Sequence, residues 1–213
     1  MKLKSLLLGV IALFAVGGIT NLVAQVAPQQ PSAEAQTWFK IGYEFDRTAN
    51  PKEIALLRTA LPGTPPATLI QMMTNWEKGA VKKDEVRPHL VAYAKASGGY
   101  LTLESFRLGE WCSRLEDATF EFMIGIVTDD HEKWVTAMNK IMVLGAQSQG
   151  FIDALSEDVP ATVVEALKNI DTAGKKANMV DIYFDRVSFA ELGEAVMSLP
   201  DLIQTIQMTY GIK

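Results

Sequence analysis

Few residues in this chain could carry chemistry. Its 213 residues include two histidines, His89 and His131, and one cysteine, Cys112. A di-iron helical bundle needs a glutamate three residues before a histidine on each of two helices, and neither histidine has one. The His-Glu-x-x-His zinc motif and the Cys-x-x-Cys-His haem attachment motif are also missing. Glu85 and His89 are four apart and would share a helical face. Two ligands with Pro88 between them make no metal site, and the pair suits a solvated helix start. His131 lies among Asp129, Asp130 and Glu132. Those acids already have a task, since carboxylates favour the positive end of a helix. The sequence implies no metal and no cofactor.

Cys112 sits within Gly109-Glu110-Trp111-Cys112-Ser113-Arg114. A reactive thiolate needs a base or a cation beside it, and no histidine is near in sequence. A buried, small apolar role is expected instead. A single cysteine also excludes a disulfide within the chain and a Cys-rich zinc site. The Gly-x-Ser-x-Gly elbow, the Ser-x-x-Lys pair and both glycine-rich phosphate loops are absent. Glu116-Asp117 and Glu157-Asp158 are adjacent acids, which point about 100° apart on a helix and suit solvated surface. Met72, Met73, Met138 and Met142 could line an adaptable groove, but their spacing suits core filling better. The aromatic residues remain: Trp38, Trp76, Trp111 and Trp134 are the candidate walls of a site for a small apolar ligand.

The most informative pattern lies at the N-terminus. Lys2 and Lys4 precede an apolar stretch from Leu6 to Phe14, continued to Ile19, and the next charge is Glu34. A short basic segment followed by a short apolar core is the pattern of an export signal. The run of about 15 residues is shorter than the roughly 20 needed to span a bilayer. Two readings stay open for residues 1–27: a cleaved signal peptide, or an uncleaved signal anchor tethering the chain through residues 5–27. Both place the rest of the chain outside the cytoplasm, periplasmic or extracellular, and lysines on the inner side agree with that orientation. No cysteine is near enough for a lipoprotein anchor. Residues 28–31 read as a polar tether.

The whole chain carries 20 Lys+Arg and 25 Asp+Glu, a net charge of −5, with 48% hydrophobic residues. Removing residues 1–27 takes Lys2 and Lys4 and no acid, leaving 18 bases, 25 acids and a charge of −7. That balance argues against binding nucleic acid through bulk charge. The apolar fraction is that of a folded domain rather than a disordered chain.

The elements that must position these residues read as helix after helix, so residues 32–213 are expected to form a single all-α domain, a bundle of roughly seven to nine helices. Ser32 can cap a helix from Ala33. Asn50-Pro51-Lys52-Glu53 is a capping box with proline at the first position. Thr64 can cap the next helix. Residues 85–96 form another, closed by Ser97-Gly98-Gly99. A long helix runs from Thr102 to about Val127, with Leu108, Trp111, Leu115, Ala118 and Phe122 on one face. Asp129 and Glu132 can box the helix that follows. Shorter helices are expected over 151–156 and 160–170, then from Phe189, capped by Ser188, and from Pro200 to about Tyr210. Val180, Ile182 and Phe184 alternate like a minor strand near 180–184.

Three segments echo one another: Lys40-Ile41-Gly42-Tyr43, Arg107-Leu108-Gly109-Glu110 and Glu191-Leu192-Gly193-Glu194. Glycine within a helix costs about 1 kcal/mol relative to alanine, so its repeated use suggests close helix crossings, or a duplication or shared ligand groove. With no catalytic constellation in view, the expected function is an exported, non-enzymatic binding or interaction protein whose partner is a protein or a cell-envelope component. A bundle holding a small apolar ligand among its tryptophans is one alternative. A hydrolase or metal enzyme whose residues meet only in three dimensions is another.

Overall fold

The computed structural model describes residues 30–155, 157–179 and 193–212, whose regular structure is helical, with no strand among them. Seven helices follow in order: α1 (Ala33–Arg47), α2 (Pro51–Ala60), α3 (Ala67–Glu77), α4 (Lys83–Val127), α5 (His131–Leu155), α6 (Ala161–Met179) and α7 (Leu199–Thr209). A further helical piece, 193–197, leads into α7. The strand-like segment 180–184 and Ser188 lie outside the described residues.

Local signals account for most helix starts. The Ser32 hydroxyl accepts from the Ala35 amide at 3.1 Å. Asn50 Oδ1 accepts from the amides of Lys52 and Glu53, both at 3.1 Å, while the Glu53 carboxylate accepts from the Asn50 amide. Two expected caps fall elsewhere. α3 begins at Ala67 after Pro66 with no side-chain cap, so Thr64 is uninvolved. Asp130, not Asp129, caps α5, accepting from the Lys133 amide at 3.0 Å. Asp129 instead takes a left-handed φ of 55° and turns the chain between helices. The helices expected over 151–156 and 160–170 also run longer. α5 continues unbroken to Leu155, and α6 extends to Met179.

α4 is in substance two helices. Gly98 (φ −151°) and Gly99 (φ 71°, ψ −135°) depart from helical geometry, and the second conformation is one that glycine adopts without strain. The chain reverses there. The Thr102 hydroxyl donates to Ala94 O at 2.5 Å across the turn, and Arg87 of the first arm meets Glu110 of the second. The first arm, 83–97, runs antiparallel to α1, with Lys83 donating to Asp46 O and Tyr93 packed on Trp38. The second arm, 100–127, runs parallel to α1. Gly98 is near Glu34, Gly42 near Phe106, and Arg47 near Glu116.

α1 therefore serves as a shared wall between two apolar clusters. Ala35, Phe39 and Tyr43 face one cluster, built with α5, α6, α7 and the second arm of α4. Trp38, Ile41 and Phe45 face the other, built with α2, α3 and the first arm. Spacings of 3 and 4 residues put each set on its own side of the helix. The second arm is buried nearly all round: from Thr102 to Ser113 only Arg107 is exposed.

The first two echo segments form one crossing. A Cβ on Gly42 would stand 2.0 Å from Phe106 O, and one on Gly109 would stand 2.1 Å from Phe39 O. Only glycine lets these backbones meet. A second such contact joins α5 to α6, where Gly145 would meet Gly174 Cα at 2.8 Å. Among the described residues nothing lies within 4 Å of a Cβ on Gly193 of the third segment, unlike the other two.

Candidate interaction surface

The four tryptophans do not converge. Trp38 is fully buried against Tyr93 and Phe106, and Trp76 packs on Phe45, all in the cluster shared with α2 and α3. Trp111 and Trp134 belong to the other cluster. The Trp111 indole donates to Leu144 O at 2.9 Å and its ring lies against Phe151. Trp134 packs edge-on against Phe122 and His131. Each fills core, and none lines any of the four surface grooves described below.

The histidines stand apart from each other and from the thiol. His89 is half-buried on the first arm of α4, and His131 is exposed at the start of α5. Cys112 is fully buried, and burial pushes its thiol well above the ordinary value, with the Glu116 charge adding to the effect. That is the opposite of what a nucleophile needs. Among the described residues, no group of three His, Cys, Asp or Glu side chains is placed to hold a metal.

Two charged networks, neither legible in the sequence, tie α1 to α4. In the first, Glu110 is almost fully buried and takes a two-pronged bond from Arg87, at 2.7 and 2.6 Å. Arg114 stands 3.7 Å from the same carboxylate and bonds Asp46 at 2.9 Å. The hydrogen bond to Glu110 holds the Arg87 guanidinium above its ordinary pKa, and burial lowers that of Lys83 nearby. In the second, Glu116 Oε2 accepts from the Tyr43 hydroxyl at 2.5 Å, from Arg47 at 2.9 Å and from Gln207 at 3.2 Å. Burial, reinforced by the bond to Glu116, pushes the Tyr43 phenol far above its ordinary pKa. These networks satisfy buried polar groups at crossings of the second arm with α1, the first arm and α7, which is a structural task.

Four open grooves lie on the surface of the described residues. Between α1 and α2 lies a mostly apolar groove of about 430 Å³, lined by Ile41, Leu56, Leu57 and Ala60 with Lys40 and Glu44 at its rim. Between α4 and α5 a larger one, about 740 Å³, is bordered by Arg114, Asp117, Glu121 and Lys140. A smaller polar groove of about 330 Å³, with Asp130, Glu132 and Lys133, shares Glu121 and Lys140 with it. Between α4 and α7 a fourth, about 310 Å³, combines Phe120, Met123, Pro200 and Ile203 with Glu116, Gln204 and Gln207.

Exposed large apolar side chains are spread over the described residues, with Leu56 on α2, Tyr100 beside the Gly98-Gly99 turn, Val143 on α5 and Met208 on α7, and with Phe120 alone of the exposed set lining the fourth groove. Phe120 (59% exposed) and Val127 (86%) lie seven residues apart, on one face of the second arm. Ile126 and Met197 are exposed as well. Single exposed apolar residues are ordinary, whereas a grouped set marks an interaction site. Among the described residues, no helix is long and apolar enough to cross a membrane. Comparison with family models, curated proteins and solved structures finds no match to this chain.

Proposed function

We propose that this chain is an exported, non-enzymatic helical module that binds a protein or another cell-envelope component, and that residues 1–27 direct or tether it outside the cytoplasm. The observation that carries the reading is the N-terminal pattern, Lys2 and Lys4 ahead of an apolar core with no charge before Glu34. Two features of the folded part agree with it. Its two histidines lie on different helices, its thiol is buried, and several large apolar side chains, Phe120, Ile126 and Val127 among them, are exposed. The test is the intact mass of the protein from its native host, fraction by fraction. Loss of about 24–27 residues identifies a cleaved signal, and full-length protein in the membrane fraction identifies an anchor. Full-length protein in the soluble cytosol would overturn the reading.

The α1–α2 groove favours a second reading, a site for a small apolar ligand. Its volume of about 430 Å³ falls within the usual range for such sites, about 300–1,000 Å³. None of the four tryptophans lines it; Ile41, Leu56, Leu57 and Ala60 give it its apolar surface. Binding of a hydrophobic dye that Ala60→Trp abolishes would support it; binding that survives the substitution would not.

A further inference from the structure

The molecule divides at Gly98-Gly99 into two halves. α2 and α3 pack with α1 and the first arm of α4. α5, α6 and α7 pack with the second arm. The two glycines are the link between the halves, and within α4 they alone depart from helical geometry.

The seam between the halves is reciprocal. Phe39-Lys40-Ile41-Gly42 of α1 and Phe106-Arg107-Leu108-Gly109 of the second arm carry one pattern. A Cβ on Gly42 would strike Phe106 O, and one on Gly109 would strike Phe39 O. The phenyl rings are exchanged as well. Phe39 of the first half is buried in the cluster of α5, α6 and α7, where it stacks on Tyr210. Phe106 of the second half is buried in the cluster of α2 and α3. Ion pairs close the seam, with Arg87 on Glu110, Arg114 on Asp46 and Arg47 on Glu116. Each half therefore lacks part of its core until the other is seated on it.

These contacts do not require both halves to belong to one chain. Arg87 and Glu110 are 23 residues apart and would stand about 35 Å apart in a straight helix. Their contact within one chain depends on the reversal at Gly99. Opening that turn breaks the Thr102 bond to Ala94 O and lets residues 83–127 run on as one helix. A second copy can then remake every seam contact, since exchange of an identical element is a low-cost route to a dimer.

The glycines set the balance between the two states. Gly99 has φ 71° and ψ −135°, a conformation costly for any residue with a Cβ. In a continuous helix glycine is the least favourable residue after proline. Both properties favour the folded-back chain, and alanine reverses both. At Gly98 an added Cβ would also stand 2.5 Å from Thr102 Cγ2 and 2.8 Å from Glu34 Oε1.

We infer that Gly98-Gly99 is a hinge at which the chain exchanges halves with a second copy of itself. α1, α2, α3 and the first arm of one copy seat on the second arm, α5, α6 and α7 of the other, through the same Gly42 and Gly109 crossing.

The test uses the full chain, unfolded in guanidinium and refolded at about 1 and about 100 μM, because exchange follows mass action. Mass is read by light scattering after size exclusion. The wild type is expected to return as monomer at the lower concentration and to yield a share of dimer at the higher one. Gly98→Ala with Gly99→Ala should lower the concentration at which dimer forms by about a hundredfold or more. Charge reversal separates exchange from side-by-side pairing. Arg87→Glu alone and Glu110→Arg alone each set like charges together, in a closed chain and in a dimer of one variant. Refolded as a mixture, the two variants repair both seams only in an exchanged dimer. A 1:1 heterodimer is expected, more resistant to denaturant than either variant by itself. Wild type that is monomeric at both concentrations, an alanine variant that folds but stays monomeric, or a mixture that gives no heterodimer would overturn the inference. Should the alanine variant not fold, the wild type and the mixture decide.

Discussion

The α1–α4 crossing and the α4–α7 end use the same helix for opposite purposes. At the crossing, α4 is enclosed on every side, glycines bring backbones into contact, and a buried carboxylate is answered by a two-pronged arginine. A dozen residues further on, the same helix leaves Phe120 and Val127 in solvent with acids beside them. The crossing cannot tolerate an added atom. The last turns of α4 bury Phe122 and Gly125 against Trp134 of α5 and leave Phe120 and Val127 exposed. The difference separates residues that make the fold from residues that remain for a partner, and substitutions in each region should behave accordingly.

The largest expected effect belongs to Gly42→Leu. With Phe106 O only 2.0 Å from the new Cβ, the helices must part, at a cost of about 3 kcal/mol or more. Denaturant unfolding measures it, and a loss below about 1 kcal/mol would show that the crossing is looser than its geometry. Arg87→Met should come next. It leaves Glu110, 3% exposed, with only the more distant Arg114, and should cost about 2 kcal/mol. Adding Glu110→Gln should recover part of that loss, because the stranded charge is gone. At the other end, Lys140→Met breaks a half-exposed pair with Glu121 and should cost about 0.5 kcal/mol or less.

Alkaline titration gives an intermediate test. The phenols of Tyr43 and Tyr210 are both raised, chiefly by burial. In the unfolded chain they would lose their protons near pH 10, before the folded ones do. Their contribution is therefore complete below about pH 10 and is lost as the pH rises above it. Tyr43→Phe should flatten part of that decline, and an unchanged slope would contradict the burial of this hydroxyl. The smallest expected stability effects are those of Phe120→Ser and Val127→Ser, each within about 0.5 kcal/mol by denaturant unfolding.

The helices were largely legible in the sequence, because capping boxes and glycine pairs act over three or four residues. Asn50 with Glu53 and the break at Gly98-Gly99 needed no tertiary information. The Ile41-Gly42 and Leu108-Gly109 echoes showed where helices approach, though not that these two approach each other. Glu110 and Arg87 were illegible as a pair: they are 23 residues apart, and only the reversal at Gly99 joins them. The tryptophans drew attention as a ligand site because aromatic residues serve cores and pockets equally well, and the two uses differ only in packing.

The chain is proposed to work outside the cytoplasm and to meet a partner there. Labelling with a membrane-impermeant maleimide tests both parts at once, because native Cys112 is fully buried and should stay silent. Val127→Cys probes the end, and Val143→Cys, exposed on α5, probes a site away from it. Both should be labelled in cells whose inner membrane is intact, with Val127→Cys slower there than in the purified protein and Val143→Cys unchanged. Labelling of either only after lysis of that membrane, or equal rates for Val127→Cys in cells and in isolation, would contradict it.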